Sequence, residues 1–436
     1  MTIRTLDLRT AGIDGFEFPR AATSFGSATA AAQHIIDDVR ARGLDAVREV
    51  TARFDGVELD SIAVPAEAIS AAWQATTPEL RDAITRSIER VRAGHAAQLP
   101  EPRRTEFAPG AVVEQRYLPV QRVGLYAPGG LAAYASSVIM NVVPAQVAGV
   151  PSIAVVSPPS RETGLPPIQV LAACAALGVT EVYAVGGAQA VAALAYGLPD
   201  AGAGAPLRPV DVITGPGNVF VAAAKSLVRD IVGIDSIAGP TEILVLADAT
   251  ADADLVAADL LSQAEHDPNA ASVLVTDSAE LAAAVTERLD ARAAVTANGE
   301  RAREALDGEQ SMIVLVADLD AGIALANRYG AEHLELVTAD PRATLERITN
   351  AGAIFLGHFS PVSLGDYAAG SNHVLPTSGT SRFSSGLSVQ PFLRPVQVID
   401  YDEAALREIG DVVTTFADAE GLPAHGEAVT ARTRRG

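Results

Sequence analysis

The sequence contains a single cysteine, Cys174, so no disulfide bond can form within the chain. Its neighbours in Leu171–Leu177 are small and apolar, which favours a core position on a helix over the role of a nucleophile. A chain that uses no disulfide fits a reducing compartment, and we therefore expect a cytoplasmic protein.

Long apolar runs and basic side chains are also scarce. The most hydrophobic span, residues 131–156, is interrupted by polar residues and prolines, so we expect no transmembrane helix. There are 32 Lys and Arg residues against 53 Asp and Glu residues, which gives a formal net charge of −21. This acidic balance argues against nucleic acids and anionic membranes as partners, because both repel a negatively charged surface.

Aromatic residues make up only 5% of the 436 residues, whereas apolar residues make up 49%. A chain of this length can form more than one buried core. A core built mainly from alanine, valine and leucine suits an α/β protein with buried parallel strands.

Strand and helix patterns alternate from about residue 150 onwards. The predicted strands are Ser152–Val156, Glu181–Val185, Asp211–Ile213, Glu242–Leu246, Ser272–Thr276, Ser311–Ala317 and Ala353–Leu356, and one further strand, Val396–Ile399, lies beyond a polar loop that follows them. Alanine-rich helices lie between several of them, for example at residues 188–196 and 279–291. This alternation predicts parallel sheets with right-handed crossovers. The strands are too numerous for one compact unit, so we expect two α/β domains, preceded by an irregular arm over residues 1–20.

The segment Asp259–Asp267 begins with the pattern of an apolar helix and ends in polar side chains. Gln263 and His266 are three residues apart, so on a helix they share one face and can converge on one point. Such a pair could hold part of a zinc site, because zinc accepts nitrogen and oxygen donors. A polar helix end whose histidine caps carbonyl groups is the preferred interpretation of this segment taken alone.

Three later clusters combine histidine with carboxylates in short polar segments. They contain Glu332 with His333, Asp366 with His373, and Glu420 with His425. Histidine titrates nearest neutrality and a neighbouring carboxylate can activate water, so the first cluster suits acid–base chemistry. The carboxylate of the second cluster could supply oxygen to a metal. Exposed polar turns or helix ends explain each cluster when it is considered alone.

Three glycine-rich turns lie in the middle of the chain, at residues 124–130, 186–189 and 214–218. The last two follow predicted strands and open helices, where backbone N–H groups can approach phosphates. None completes the dinucleotide fingerprint, because no third glycine follows Gly217 at the required spacing. Tight turns between strands and helices explain them equally well. A dinucleotide bound here would depart from the usual Rossmann mode.

In combination and in this order, the segments resemble the histidinol dehydrogenase family. The resemblance runs from about Arg116 to His425, with weaker similarity before it. The motifs that carry it are GLYAPGG, GGAQAVAALAYG, ITGPGNVFVAAAK, IDSIAGPTEILVLAD, DLLSQAEHD, AEHLEL, GDYAAGSNHVLPT and EGLPAH.

The resemblance implies an α/β fold of two incomplete Rossmann-like domains, of the aldehyde-dehydrogenase-like kind, with small N- and C-terminal segments. The expected parts are an N-terminal arm (residues 1–20), a first α/β domain with most of the zinc and catalytic residues (residues 21–125 and 239–378), a second α/β domain with the NAD contacts (residues 126–238), and a C-terminal segment that reaches the partner subunit (residues 379–436).

The activity implied by the resemblance is oxidation of L-histidinol, through a held aldehyde, to L-histidine, with bound zinc and two NAD molecules used in succession. Glu332 and His333 are the implied catalytic pair. The implied zinc ligands are Gln263, His266, Asp366 and His425. The implied substrate contacts are these four ligands together with Thr241, His333, His373 and Glu420. The implied NAD contacts are Tyr126, Gln189 and Asn218. In the family the ligand at the position of His425 comes from the second subunit, so we expect a homodimer with shared active sites.

Thr241 stands where the family usually has serine. It keeps the hydroxyl group but adds a methyl group that narrows the pocket. A related zinc- and NAD-dependent enzyme that oxidises another alcohol, such as a sulfonated diol, is therefore an alternative. A zinc hydrolase in which Glu332 activates water is a second alternative, and a binding protein without catalysis is a third. The presence of both Glu332 and His333 argues against the third.

Overall fold

The computed structural model describes residues 3–21, 25–129, 134–202 and 204–433, so Gly130 of the predicted glycine-rich turn lies outside the described residues. The strands are β1 (Thr5–Asp7), β2 (Arg103–Ala108), β3 (Ala111–Pro119), β4 (Arg122–Tyr126), β5 (Ser152–Ser157), β6 (Val182–Ala184), β7 (Val212–Thr214), β8 (Gly233–Ile234), β9 (Glu242–Ala247), β10 (Ala271–Thr276), β11 (Met312–Leu315), β12 (His333–Val337), β13 (Ala353–Leu356) and β14 (Leu393–Tyr401).

The α-helices are α1 (Phe25–Arg42), α2 (Leu44–Phe54), α3 (Ala66–Ala75), α4 (Pro78–Ala96), α5 (Ala135–Val147), α6 (Ile168–Ala176), α7 (Gly187–Tyr196), α8 (Val219–Leu227), α9 (Ala253–Ala264), α10 (Ala279–Val295), α11 (Gly299–Asp307), α12 (Leu319–Tyr329), α13 (Pro341–Leu345), α14 (Val362–Tyr367), α15 (Glu403–Ala419) and α16 (Pro423–Thr433). No helix in the described ranges is both long and apolar enough to cross a bilayer.

The chain forms two compact units, one from residues 1–98 and 121–391 and the other from residues 99–120 and 392–436. The second unit is built on an antiparallel sheet with the strand order β14-β3-β2. It also contains the two C-terminal helices, α15 and α16. The first unit contains both parallel sheets.

The larger sheet of the first unit has the strand order β1-β11-β10-β9-β12-β13, and all its neighbouring strands are parallel. From β9 the chain builds outwards through β10 and β11, and then crosses to the other side of β9 for β12 and β13. Alternate residues of β9 point to opposite faces: Ile243 and Val245 join one buried cluster, and Leu244 and Leu246 join the other. Both faces are covered, which is why the strand is apolar throughout.

The smaller sheet has the order β6-β5-β4-β7-β8 and is also entirely parallel. The chain builds outwards from β4 through β5 and β6, and then returns to the other side of β4 for β7 and β8. The strand order therefore reverses between β4 and β7. In open parallel sheets, ligands bind outside the carboxyl ends of the strands at such a switch point.

The prediction of parallel α/β sheets is confirmed, and each predicted strand overlaps an observed one. The predicted strand Ala353–Leu356 has the observed bounds of β13. The prediction that residues 1–20 are irregular is wrong for Thr5–Asp7, which pair in parallel with β11 at the edge of the larger sheet. Three residues are too few to show a period-two pattern, so only the neighbouring strand reveals them.

A pair of buried carboxyl groups lies between β12 and α9. The alternation of a strand puts His333, Glu335 and Val337 on one face, and Glu335 accepts a hydrogen bond from the backbone N–H of Val362 at 3.1 Å. Burial raises the pKa of Glu335 well above its usual range, and the neighbouring Asp259 carboxyl group raises it further. Burial also raises the pKa of Asp259 to about 6. Above the ordinary carboxyl pKa of about 4, these two groups therefore keep protons in the folded state that the unfolded chain has already released.

We predict that Glu335→Gln weakens the pH dependence of the free energy of unfolding. Stability falls with rising pH wherever the folded state binds more protons than the unfolded state, so the carboxyl pair should lower the stability of the wild type as the pH rises above about 4, the ordinary carboxyl pKa. Glutamine is neutral throughout, so the variant should lose less stability than the wild type over the same rise in pH.

Urea unfolding at a series of pH values measures this difference. Glu346→Gln is the matched control, because Glu346 is exposed at the end of α13. Parallel stability curves for the wild type and the Glu335 variant would show that the carboxyl pair does not titrate in this way.

Candidate active site

The two residues predicted to handle protons, Glu332 and His333, lie at the amino end of β12. Helix α12 ends at Gly330, which has the left-handed conformation (φ 58°, ψ 56°) that commonly stops a helix. Three residues later, at His333, the chain enters the larger sheet beside β9. Glu332 therefore lies next to Glu242, the first residue of β9.

The carboxyl group of Glu332 is buried and held by two donors. Its Oε2 accepts a hydrogen bond from the Thr241 hydroxyl group at 2.5 Å and another from the backbone N–H of Glu242 at 2.9 Å. Burial raises the pKa of Glu332 well above its usual range; these two hydrogen bonds oppose the shift, and the Glu242 carboxylate adds to it. A carboxyl group with a raised pKa can take up and return a proton near neutral pH.

Thr241 connects this carboxyl group to helix α9. The side-chain amide of Gln263 donates from Nε2 to the Thr241 hydroxyl oxygen at 2.5 Å, and that hydroxyl group in turn donates to Glu332. The bond fixes the orientation of the amide, so the carbonyl oxygen of Gln263 is left to face another partner. A serine hydroxyl group could make both bonds, so threonine preserves this link.

His266 lies beyond the end of α9. The helix ends at Ala264, and the backbone N–H of His266 donates to the carbonyl oxygen of Gln263 at 3.2 Å in the turn that follows. The expectation that Gln263 and His266 share a helical face is therefore corrected: they are neighbours across one turn. Pro268 follows closely, and the residue before a proline is disfavoured in helical conformation.

One ring nitrogen of His333 has hydrogen-bond partners, and the other has none among the described residues. Nδ1 lies 3.2 Å from the carbonyl oxygen of Glu242 and 3.5 Å from Oε2 of Glu332. Nε2 is buried and has no hydrogen-bond partner among the described residues. With its proton on Nδ1 donated to the Glu242 carbonyl group, the ring presents a lone pair on Nε2.

Burial lowers the pKa of His333 to about 4; the Asp366 carboxylate opposes this shift, and His266 and His373 add to it. The imidazole is therefore neutral at physiological pH and able to accept a proton. These electrostatic interactions also indicate that His266, Asp366 and His373 lie near His333, because charges act strongly only over short distances.

His373 lies in the segment that follows α14 and Asp366. Its Nδ1 lies 3.0 Å from the backbone carbonyl oxygen of Asp366, and its Nε2 lies 3.5 Å from the hydroxyl oxygen of Ser137 on α5. Burial lowers the pKa of His373 to about 4. The adjacent Asn372 donates to the carbonyl oxygen of Met140, also on α5, at 2.7 Å. The segment is therefore fixed to the helix that follows β4.

The side chain of Glu242 is held from the N-terminal arm. It forms a partly buried ion pair with Arg20, whose guanidinium group lies 4.3 Å from the centre of the Tyr329 ring. Sequence reasoning did not single out Arg20, Glu242 or Ser137. Arg20 and Ser137 carry no local signal, whereas Glu242 directly follows Thr241 and could have been found from that position.

The three predicted NAD contacts surround the carboxyl end of the smaller sheet. Tyr126 is the last residue of β4, and its hydroxyl oxygen accepts a hydrogen bond from the backbone N–H of Gly187 at 3.1 Å. Gln189 is buried in the first turn of α7, two residues after Gly187. Asn218 caps α8, and its Oδ1 accepts from the N–H groups of Phe220 and Val221 at 3.0 and 3.2 Å.

Glu420 and His425 belong to the second unit. Glu420 lies at the end of α15 and His425 on α16, and both residues are exposed. The structure thus brings Thr241, Gln263, His266, Glu332, His333, Asp366 and His373 together in the first unit.

The residues of one chain fit part of the implied zinc site. Within residues 3–21, 25–129, 134–202 and 204–433, no three His, Cys, Asp or Glu side chains lie close enough together to hold a metal ion. The first unit offers His266, Asp366 and the amide oxygen of Gln263, which is one imidazole, one carboxylate and one carbonyl group. These are donor types that zinc accepts, and a fourth donor would have to come from elsewhere.

Cys174 offers no second route to chemistry. It is fully buried in α6, and burial raises the pKa of its thiol to about 12. Only the thiolate is strongly nucleophilic, so this cysteine cannot attack an aldehyde at neutral pH. The expected core position of Cys174 is confirmed.

Comparison with known proteins assigns the chain to a family. The family model described as histidinol dehydrogenase matches residues 18–433. The histidinol dehydrogenase of Corynebacterium efficiens is 58% identical over 415 residues, which cover 95% of this chain and 91% of the relative. That of Leifsonia xyli subsp. xyli is 55% identical over 438 residues, which cover 99% of each chain.

A solved structure supports the same assignment. The crystal structure of histidinol dehydrogenase from Elizabethkingia anophelis aligns with a TM-score of 0.90 at 32% sequence identity, and covers 99% of this chain and 98% of that one. The chain therefore belongs to the histidinol dehydrogenase family of oxidoreductases.

Proposed function

We propose that this chain oxidises L-histidinol through histidinaldehyde to L-histidine in the cytoplasm, as the last step of histidine biosynthesis, with zinc and two successive NAD molecules. The observation that carries the proposal is the environment of His333. Its ring is buried and neutral, Nδ1 is held by a backbone carbonyl group, and Nε2 has no partner among the described residues. That arrangement suits a base that removes a proton from a bound alcohol.

In the first oxidation the alcohol loses its hydroxyl proton to Nε2 of His333 and a hydride from carbon to NAD, which gives an aldehyde and NADH. In the second, water adds to the aldehyde while Glu332 takes a proton from that water. The resulting hydrate anion, RCH(OH)O−, loses its hydroxyl proton to His333, which has meanwhile released the first proton to water, and a hydride to a second NAD, which gives the carboxylate. The raised pKa of Glu332 suits a group that accepts a proton from water and then releases it.

Zinc, when bound, supplies a Lewis-acidic centre that can hold the amino and imidazole nitrogens of the substrate. Gln263, His266 and Asp366 of one chain would hold it together with His425 of the partner subunit. The exposure of Glu420 and His425 supports this sharing, because residues donated to a second chain are exposed when one chain is considered alone. We therefore propose a homodimer with two shared sites.

The strand order of the smaller sheet supports an NAD site at its carboxyl edge. Tyr126 ends β4 and Asn218 lies in the turn after β7, and the order reverses between these two strands. The capping bonds of Asn218 use Oδ1, so Nδ2 is the part of its side chain that a ligand would meet. Backbone N–H groups at the start of α8 favour the negative charge of a pyrophosphate.

A related enzyme that oxidises another alcohol, such as a sulfonated diol, is the alternative. The methyl group of Thr241 favours it, because this group has no counterpart in serine and lies beside Glu332. Initial rates with L-histidinol and with other alcohols, each with NAD, separate the two proposals. A higher kcat/KM for another alcohol than for L-histidinol would favour the alternative.

We predict that wild-type enzyme forms two NADH per L-histidinol and that Glu332→Gln forms one. Glutamine keeps acceptor capacity towards Thr241 but cannot take a proton from water, so the reaction should stop at the aldehyde. Limiting L-histidinol with excess NAD, read by NADH absorbance and an aldehyde trap, measures the ratio.

Glu346→Gln, at an exposed glutamate, is the control and should keep the ratio of two. If the wild type forms no NADH from L-histidinol, the proposed function is wrong. If Glu332→Gln still forms two, Glu332 does not activate the water.

We predict that His333→Asn and His425→Asn fail for different reasons. The first should lower turnover by roughly a hundredfold or more while zinc stays bound, because it removes a base and no ligand. The second should lower the zinc content measured by atomic emission, because it removes a ligand.

Mixing the two variants should restore part of the activity, since a heterodimer contains one site with both native residues. Verified heterodimers without any activity would contradict shared sites. Parallel loss of zinc in His333→Asn would contradict the assignment of His333 as base.

A further inference from the structure

Lys225 is the only lysine of the sequence; the other 31 of its 32 basic residues are arginine. It lies on α8, and its side chain is only 2% exposed. A buried ammonium group is costly unless it is paired and hydrogen-bonded. The cost of burying this ammonium group must therefore be offset by its contacts, and these contacts indicate its role.

Those contacts converge on one glycine. The ammonium group of Lys225 donates to the backbone carbonyl oxygen of Gly215 at 3.0 Å and forms an ion pair with Asp235, which is 4% exposed. Asp235 follows β8, and its second carboxylate oxygen accepts the backbone N–H of Gly215 at 2.7 Å. The ion pair thus binds both polar backbone groups of a single residue.

Gly215 begins the turn that carries Asn218. β7 ends at Thr214, so Gly215 has left the sheet and depends on other partners for its backbone groups. Its φ is +112°, and a Cβ atom at this position would lie 2.1 Å from the backbone carbonyl oxygen of Tyr126. The turn is therefore pressed against the end of β4 in a conformation that only glycine adopts without strain.

Lysine suits this position better than arginine. Its compact ammonium group reaches a carbonyl and a carboxylate oxygen at once, whereas the planar guanidinium group is larger and has its donors in a rigid fork. Ala222, Ala223 and Ala224, which precede Lys225 on the same helix, and Tyr126 are buried as well.

We propose that Lys225 and Asp235 are positioning residues of the dinucleotide site. They hold Gly215 so that Tyr126 and the turn to Asn218 present a fixed surface to NAD. The inference rests on the proposed function, because it takes the NAD site from there. Neither side chain touches the dinucleotide; both act through the backbone of the turn.

The expected signature is selective. Lys225→Met should raise the KM for NAD and the directly measured Kd for NAD by about tenfold or more, while the KM for L-histidinol stays within about twofold, since the change lies on the cofactor side. Asp235→Asn is nearly isosteric and tests the same point if the methionine variant does not fold. It should also weaken NAD binding, because its neutral side chain pairs poorly with Lys225.

A matched control comes from the same sheet. Arg122 and Glu181 form an ion pair at the amino edge, away from the turn, and Arg122 is also buried. Arg122→Met with Glu181→Gln should lower thermal stability without changing the KM for NAD. If the Lys225 variant raises the KM for NAD no more than this control does, the pair is merely structural and the proposal is wrong.

The double variant Lys225→Met with Asp235→Asn separates anchoring from charge. In the single variant Lys225→Met the Asp235 carboxylate has lost its partner, and the double variant removes this charge. The double variant should therefore be more stable than Lys225→Met but bind NAD equally weakly. If the double variant binds NAD as the wild type does, the weaker binding of Lys225→Met comes from the unpaired Asp235 carboxylate, and the proposal is wrong. Failure of the wild type to reduce NAD with L-histidinol would instead refute the proposed function, so the two failures are distinguishable.

Wild-type protein allows a test without substitution. Reductive methylation modifies only amines, so Lys225 is the only side chain that it can label, and labelling requires local opening of the buried pair. NAD should slow the labelling of Lys225 relative to the N-terminal amine, which serves as an internal reference in peptide mass spectra. An unchanged ratio of the two rates with saturating NAD would contradict the proposal.

Discussion

The catalytic arrangement depends on the peptide groups of one residue, Glu242. Its N–H donates to Glu332, and its carbonyl group accepts from Nδ1 of His333. Both groups are available because Glu242 is the first residue of β9, where part of the ladder to neighbouring strands is still open. A shift of one residue in the pairing of β9 with β12 would turn Glu332 and His333 to the wrong faces. The strand register is therefore the constraint on which the proposed acid–base pair depends.

The two parallel sheets contribute opposite edges to the proposed active site. The smaller sheet offers its carboxyl edge, where the chain order reverses and where ligands of open α/β sheets usually bind. The larger sheet contributes the amino ends of β9 and β12 instead. Helix α5 connects the two sides: Asn141 accepts the Thr214 hydroxyl group at 2.7 Å, its amide donates to the carbonyl oxygen of Ser137 at 2.7 Å, and Ser137 lies beside His373. Hydrogen bonds through α5 thus connect the end of β7, next to the turn proposed to bind NAD, with His373, which is proposed to contact the substrate.

The predictions made from sequence differ in success for physical reasons. Buried strands such as Glu242–Ala247 were predictable because their apolar composition reflects burial on both faces. Cys174 was placed correctly in the core because its neighbours are all small and apolar. The end of α9 before His266 was missed because helix ends are set by local competition among polar groups, not by periodicity. The edge strand β1 was missed because only its pairing with β11 defines it.

By itself the sequence determined the α/β class, the polar segments in which the candidate residues lie, and the resemblance that assigns roles to them. Those properties are local, since composition, spacing and motif can be read without knowing what lies nearby. Only the tertiary structure decided that Thr241 links Gln263 to Glu332, that Glu242 orients His333, and that Lys225 holds the turn before Asn218. Each of these is a hydrogen bond or ion pair between atoms that chain folding brings together, and a bond of about 3 Å has no counterpart in sequence separation.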